Sequence, residues 1–145
     1  MVADKIEREI EIGVPIDHVW GLVVQPGWWV DADQAAVGDW SISATTVVTY
    51  DENQYPVRVE SVDPAAHRVT FRWASTFPDD DITDGNSTLI EFTLTDLGGK
   101  TRVRMVESGF AALDASEEVA QGGYDGNHDG WGEELEKLRS RAEAA

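Results

Sequence analysis

Apolar and polar residues alternate strictly over residues 6–12, with isoleucines on one side and glutamates on the other. This period-two pattern predicts a half-buried β-strand that keeps one face in water. Pro15 then stands at a favourable start for a helix, and apolar residues at spacings of three and four follow it. The pattern predicts a short amphipathic helix over residues 16–23.

From residue 38 onward the period-two pattern returns and persists to residue 108. The turn-like segments between the apolar runs are short, which favours antiparallel pairing, because parallel neighbours need a crossover of about a dozen residues or more. The pattern predicts a meander of strands near residues 39–43, 45–51, 55–62, 67–75, 87–95 and 101–108.

The last third of the chain has helical spacing. Apolar and aromatic residues step by three and four from Tyr124 to Ala142, and Asp114 or Ser116 can cap the start of a helix. Five glycines lie within residues 122–132, and each costs about 1 kcal/mol relative to Ala in a helix interior. We predict a helix from about residue 128 onward and allow a kink or break at residues 122–126.

These elements predict one α+β domain over residues 1–145. It consists of a curved antiparallel sheet of six or seven strands, a short early helix and a long C-terminal helix. A length of 145 residues is typical of one domain, and a hydrophobic fraction of 41% with six Trp supplies its core.

The charge balance narrows the classes of function. With 28 acidic and 11 basic residues the formal net charge is −17, so we expect neither nucleic acid nor a membrane surface as a partner. The absence of cysteine excludes disulfides, thiolate metal sites and thiol nucleophiles. No apolar run reaches the ~18 residues of a membrane span and no secretory signal pattern is visible, so we expect a cytoplasmic protein.

The chain resembles one family in five segments: IEREIEIGVPIDHVW at 6–20, YPVRVESVDPAAHRVTFRW at 55–73, NSTLIEFTL at 86–94, TRVRMVESGF at 101–110 and GWGEELEKL at 130–138. It is the family of homologues of the heat-shock-chaperone ATPase activator, in the START-like, polyketide-cyclase-like (SRPBCC) superfamily. The resemblance spans nearly the whole chain. It implies a helix-grip fold with a cavity between the sheet and the last helix, in which single-domain relatives resemble binders of small molecules. It implies no reaction.

Strand parity indicates which side chains face that cavity. In the last predicted strand Val103, Met105 and Glu107 share one side, so Glu107 is a carboxylate on an otherwise apolar face. His128 lies four residues after Tyr124 on the last helix, so the two share one helix face, and His128 is expected to approach Glu107. The pair would either orient a ligand or transfer protons, or form an internal polar contact, which is the preferred interpretation.

The adjacent residues Trp28 and Trp29 follow the first helix, where such folds have a cavity mouth. They can stack on a planar ligand or cap the pocket, or one can be core and the other surface. Trp20 and Trp40 are expected in the core, whereas His18 and His67 lack a partner at metal-ligand spacing. The predicted ligand-binding residues are Trp28, Trp29, Phe71, Trp73, Phe92, Met105, Glu107, Tyr124, His128 and Trp131.

One stretch of the predicted helix matches a calcium-binding loop. The matching residues are Asp125, Asn127, Asp129, Gly130 and Glu136. Gly132 stands where an apolar residue normally pairs two such loops, and a loop here would dismantle the aromatic helix face. We therefore expect no metal and no cofactor.

Three functions remain open. The first, which is our prediction, is non-catalytic binding of a small apolar or aromatic molecule between the sheet and the last helix. The second is a cyclase- or hydrolase-type enzyme that uses Glu107 and His128 for acid–base chemistry. The third is a module that contacts a protein partner, such as a chaperone, through its surface.

Overall fold

The computed structural model describes residues 2–144 of the chain. These residues contain six strands and three α-helices. The strands are β1 (Lys5–Ile12), β2 (Thr45–Tyr50), β3 (Asn53–Asp63), β4 (Arg68–Trp73), β5 (Thr88–Asp96) and β6 (Thr101–Ser108). The helices are α1 (Ile16–Val23), α2 (Ala32–Ala35) and α3 (Glu117–Glu143), and a 3₁₀ turn covers Phe110–Ala112.

All six strands join one antiparallel sheet in the order β1-β6-β5-β4-β3-β2. Strands β2 to β6 form the predicted meander, and β1 pairs along β6 at one end, with Ile6 opposite Glu107. Asp51 and Glu52, between β2 and β3, have φ angles of 50° and 68°, which suit a tight hairpin turn. The α+β helix-grip architecture is confirmed.

The strand predicted at residues 39–43 is not formed. Ser43 has a φ angle of 72°, and pairing with the backbone of Val59 is limited to Ser43 and Ala44. The alternation therefore belongs to a turn that precedes β2. Trp40 lies in this turn and is 45% exposed, so its expected place in the core is wrong.

The segment between α1 and β2 is held against the sheet at two points. Gly27 has a φ angle of 85°, and a Cβ atom there would lie 2.8 Å from Val48 Cγ1 on β2. Asp31 caps α2 by accepting the N–H groups of Asp33 and Gln34. The Gln34 amide then hydrogen-bonds the backbone N–H and C=O of Thr49. These contacts fix the segment that carries the tandem tryptophans.

Helix α3 is continuous from Glu117 to Glu143, so the break allowed at residues 122–126 does not occur. Ser116 Oγ accepts the N–H of Val119 at 3.1 Å and caps the first turn. Gly123 has a packing reason, because a Cβ atom there would collide with Thr76 Oγ1. A Cβ atom at the other four α3 glycines would meet nothing within 4 Å.

We expect Ala to have opposite effects on the free energy of unfolding when it replaces two different glycines of α3. Gly132→Ala should raise the free energy of unfolding by about 0.5–1 kcal/mol, because Ala is the better helix former and the position is open. Gly123→Ala should lower it, and the added Thr76→Ala should restore it by removing the collision. Urea unfolding followed by circular dichroism measures all three variants. Equal stabilisation by both Ala substitutions would contradict the close approach of Thr76.

Candidate functional site

A buried carboxylate joins the sheet to helix α3. Glu107 on β6 has no exposed surface. Its Oε2 accepts hydrogen bonds from Trp73 Nε1 on β4 at 2.8 Å and from Thr88 Oγ1 on β5 at 2.6 Å. From α3, Trp131 Nε1 donates to Oε1 at 2.8 Å and Asn127 Nδ2 lies 3.1 and 3.2 Å from the two oxygens. One side chain thereby ties three strands to the helix.

Strand and helix periodicity bring these groups together. Glu107 points inward with Val103 and Met105, as parity predicts, and Thr88 has the inward parity of β5. Asn127 and Trp131 are four residues apart and therefore lie on one face of α3. Sequence reasoning named Trp73 and Trp131, but it placed Asn127 only in the calcium-loop pattern and gave Thr88 no role in the site. The i, i+4 spacing of Asn127 and Trp131 was the signal that could have found the former.

Burial raises the pKa of Glu107 above its ordinary value, since desolvation penalises the charged form. The hydrogen bonds from Thr88, Trp131, Trp73 and Asn127 act in the opposite direction without cancelling the rise. The neutral acid fits this environment. Its carbonyl and hydroxyl oxygens still accept from the two indoles, and its one proton can be donated to the Thr88 hydroxyl, which is also an acceptor.

The tandem tryptophans fill the space between the sheet and α3. Trp28 is 7% and Trp29 is 5% exposed, so both point inward and neither is a surface residue. Trp29 packs edge-on against Trp73 with ring centroids 5.5 Å apart, and Trp28 lies 6.4 Å from Trp131. The shared aromatic cluster contains Trp28, Trp29, Phe71, Trp73, Phe92 and Trp131.

Beside this cluster a cavity of about 460 Å³ remains between α3 and strands β2 to β4. Its lining combines aromatic side chains with polar side chains of α3. The lining residues are Trp29, Val30, Tyr50, Tyr55, Trp73, Ser75, Gly126, Asn127, Gly130, Trp131, Glu133, Glu134 and Lys137. We call this the aromatic cavity. Its lining is mixed, not uniformly apolar.

A second cavity of about 240 Å³ adjoins the first. Both are lined by Val30, Glu134 and Lys137. The remaining lining residues of the second are Leu22, Gln25, Trp28, Ala32, Leu138 and Arg141. We call this the basic cavity, because two cations and one carboxylate line it.

Three buried polar atoms near the cavities have no hydrogen-bond partner among the described residues. They are Trp29 Nε1, whose ring lines the aromatic cavity, and Trp28 Nε1 and Gln25 Oε1, whose side chains line the basic cavity. Leaving such a group unpaired costs about 1–3 kcal/mol. The two indole donors and the amide acceptor are themselves buried, so other atoms of these side chains face the open space.

The expected contact between Glu107 and His128 is not formed. His128 lies on another face of α3, where Arg8 Nη2 donates to its backbone oxygen at 3.0 Å and lies 3.2 Å from its Nε2. Its ring stacks on Tyr124, whose hydroxyl donates to the backbone of Lys5. A helix turns 100° per residue, so the neighbouring Asn127 takes the position that was expected for His128.

The structure divides the other predicted site residues into three groups. Trp29, Trp73 and Trp131 line the aromatic cavity, and Trp28 lines the basic cavity. Phe71, Phe92 and Met105 are fully buried in the core. Tyr124 packs edge-on against Phe110, near β1.

The comparisons with known proteins agree with this fold. The model of the family described as Activator of Hsp90 ATPase homolog 1-like protein matches residues 14–143. The chain belongs to this family. The resemblance carried by the five sequence segments is confirmed. Among curated proteins, none matches the chain.

Solved structures similar to this member of the Activator of Hsp90 ATPase homolog 1-like family share its fold at low identity. A protein from Mesorhizobium loti is 20% identical over 94% of each chain, with a TM-score of 0.69. A protein from Arthrobacter aurescens is 12% identical over 99% of this chain and 88% of its own, with a TM-score of 0.72. An aromatase/cyclase from Streptomyces sp. R1128 is 15% identical over 96% and 93%, with a TM-score of 0.64.

In this family member the calcium-loop pattern lies inside continuous helix α3, so the loop is not formed. Asn127 is bound to Glu107 and Ser75 instead of facing a cation. Within residues 2–144 no group of three or more His, Cys, Asp or Glu side chains could hold a metal ion. None of the described helices combines the length and the apolar character that crossing a membrane requires.

We expect Glu107→Gln to lower the free energy of unfolding by about 1–3 kcal/mol at mildly acidic pH. An amide nitrogen in place of Oε1 faces the N–H of Trp131, and in place of Oε2 it faces the N–H of Trp73. In either orientation two N–H donors face each other without an acceptor between them. The carboxylic acid avoids this because it directs its single proton to Thr88. Urea unfolding of both proteins at pH 5 measures the difference.

The difference between wild type and Glu107→Gln should shrink as the pH rises from 5 to 8. Because the native pKa is raised, the native state binds the proton more tightly than the unfolded chain. The contribution of Glu107 is complete below its unfolded pKa of about 4.3 and is lost as the pH rises through the native pKa. A difference that grows with pH would show that the native pKa is lowered.

Proposed function

We propose that the chain binds a small, planar, largely apolar molecule in the aromatic cavity. The observation that carries this proposal is the cavity itself, open beside an otherwise filled aromatic core. Its volume of about 460 Å³ is within the roughly 300–1,000 Å³ of small-molecule sites. Trp29, Tyr55 and Trp73 offer aromatic surface on which a planar ring can stack.

The unpaired indole of Trp29 supports the same proposal. Its ring is 5% exposed and its Nε1 has no acceptor among the described residues. The donor itself is buried, so a ligand oxygen in the aromatic cavity would accept this hydrogen bond, and remove the cost of the unpaired donor, only after the indole turns toward the cavity. The preferred ligand is therefore an aromatic molecule that carries a hydrogen-bond acceptor.

Two glycines of α3 keep the cavity open. Gly126 and Gly130 are four residues apart, line the aromatic cavity, and have no atom within 4 Å of a built Cβ. Glycine costs a helix about 1 kcal/mol relative to Ala, and packing gives no reason for either one. Side chains at these positions would instead occupy space that a ligand needs.

The alternative functions have less support. The separation of Glu107 from His128 removes the acid–base pair of the proposed enzyme, and hydrogen bonds from four side chains occupy Glu107. The similarity to an aromatase/cyclase from Streptomyces, at 15% identity, shows a shared fold and gives no reaction. A chaperone partner rests on the family description alone and stays a prediction.

Gly130→Leu should weaken binding of the fluorescent probe N-phenyl-1-naphthylamine at least tenfold. The leucine fills space between α3 and the aromatic wall, whereas the matched variant Gly132→Leu adds the same side chain outside the cavity. Both replace glycine by a better helix former, so neither change should unfold the helix. Probe fluorescence during titration with protein gives the dissociation constants.

The control should bind the probe within twofold of wild type. Failure of the wild-type protein to bind the probe would contradict the proposal of an aromatic ligand. Equal loss in both leucine variants would place the probe outside the aromatic cavity.

A further inference from the structure

We propose that the aromatic and basic cavities form one site for an aromatic carboxylate, whose ring occupies the aromatic cavity and whose anionic group lies beside Arg141. This inference rests on the proposed function and names the ligand class. Val30, Glu134 and Lys137 line both cavities, so the two cavities are neighbours on either side of these three side chains. A ligand with a short chain between its ring and its carboxylate would span both by passing these side chains.

Charge distinguishes the two ends of the site. The aromatic cavity is lined by Glu133, Glu134 and Lys137, which together disfavour an anion. The basic cavity is lined by Glu134, Lys137 and Arg141, a net positive lining in a chain with a formal charge of −17. An anion is therefore favoured at only one end, which sets the orientation of the ligand.

Arg141 is the cation available to the ligand. Lys137 Nζ is 3.1 Å from Glu134 Oε1, so its charge already has a partner. Arg141 makes no ion pair within 4 Å in the described part of the chain. Asp31 is close enough to act on it electrostatically but does not form an ion pair with it; the Asp31 side chain is held by the N–H groups of Asp33 and Gln34 at the start of α2. A guanidinium group can bind a carboxylate through two parallel hydrogen bonds.

Two further side chains that line the basic cavity have unpaired polar atoms, but those atoms are themselves buried. Trp28 is 7% exposed and its Nε1 has no acceptor among residues 2–144. Gln25 Oε1 has no donor there either, although its Nε2 donates to the backbone of Gly21. A carboxylate in this cavity therefore pairs with Arg141, and it would reach Trp28 Nε1 only if the indole turned toward the cavity.

The test compares 3-(1-naphthyl)propanoate with its primary amide, which differs in charge but hardly in shape. Isothermal titration calorimetry and displacement of N-phenyl-1-naphthylamine give both affinities. Wild type should bind the carboxylate at least tenfold more tightly than the amide. Arg141→Gln should reduce this preference to less than twofold and leave the affinity for the amide within twofold.

Arg139→Gln is the matched control, because it removes the same charge from the same helix outside both cavities. Arg139 is paired with Glu136, so its removal should leave the carboxylate preference intact. Equal wild-type affinities for carboxylate and amide would overturn the inference, and so would a preference that survives Arg141→Gln. An equal loss of the carboxylate preference in both arginine variants would assign that preference to the overall charge of the protein. This result would also overturn the inference.

The two proposals fail in different ways. If the neutral probe binds and Gly130→Leu abolishes its binding, but no carboxylate preference is measured, only the inference about Arg141 is wrong. If neither the probe nor the naphthyl compounds bind, the proposed function and this inference both fail.

Discussion

The carboxyl group of Glu107 connects the sheet to the C-terminal helix, and the geometry of the candidate site depends on it. A polar group without exposed surface is tolerable only when its hydrogen bonds are made, and here indole, hydroxyl and amide donors converge on two oxygen atoms. Trp73 and Trp131, which donate from the sheet and from α3, also form part of the cavity wall. The orientation of two wall side chains is therefore fixed by directional bonds, whereas apolar packing alone would allow several rotamers.

The space between sheet and helix is only partly filled. The segment after α1 inserts Trp28 and Trp29 against the sheet, and Gly27 lets the backbone approach β2 closely enough for this. The remaining space lies beside Gly126 and Gly130, where α3 has no side chains. A helix with so many glycines has low intrinsic stability, and its contacts through Glu107 and through buried residues such as Leu135 and Leu138 compensate. Tertiary contacts thus allow a glycine-rich helix that the helix propensity of its residues disfavours.

Periodicity was enough to predict most of the fold from the sequence. Alternation located five strands of the meander to within two residues and placed Glu107 on the buried face, because a strand has only two sides. The same alternation failed at residues 39–43, where a positive φ angle at Ser43 ends the extended backbone. A period-two pattern carries no information about φ angles. The continuity of α3 could not be predicted either, because the low helix propensity of glycine argues against a helix and the contacts that overcome it lie far away in sequence.

The site was less predictable because it depends on the rotational phase of a helix and on a loop. His128 and Asn127 are adjacent in sequence but differ by 100° around α3. An error of one residue in the predicted helix face therefore selects His128, which contacts Arg8 on β1, in place of Asn127, which contacts Glu107. The direction of Trp28 and Trp29 depends on the path of an irregular segment, which periodicity does not describe. The same rotation places Gly130, Glu134, Lys137 and Arg141 along one side of the helix, at spacings of three and four. That side changes from glycine beside the aromatic wall to arginine beside Trp28, so one helix provides both the open space and the charge that the proposed ligand requires.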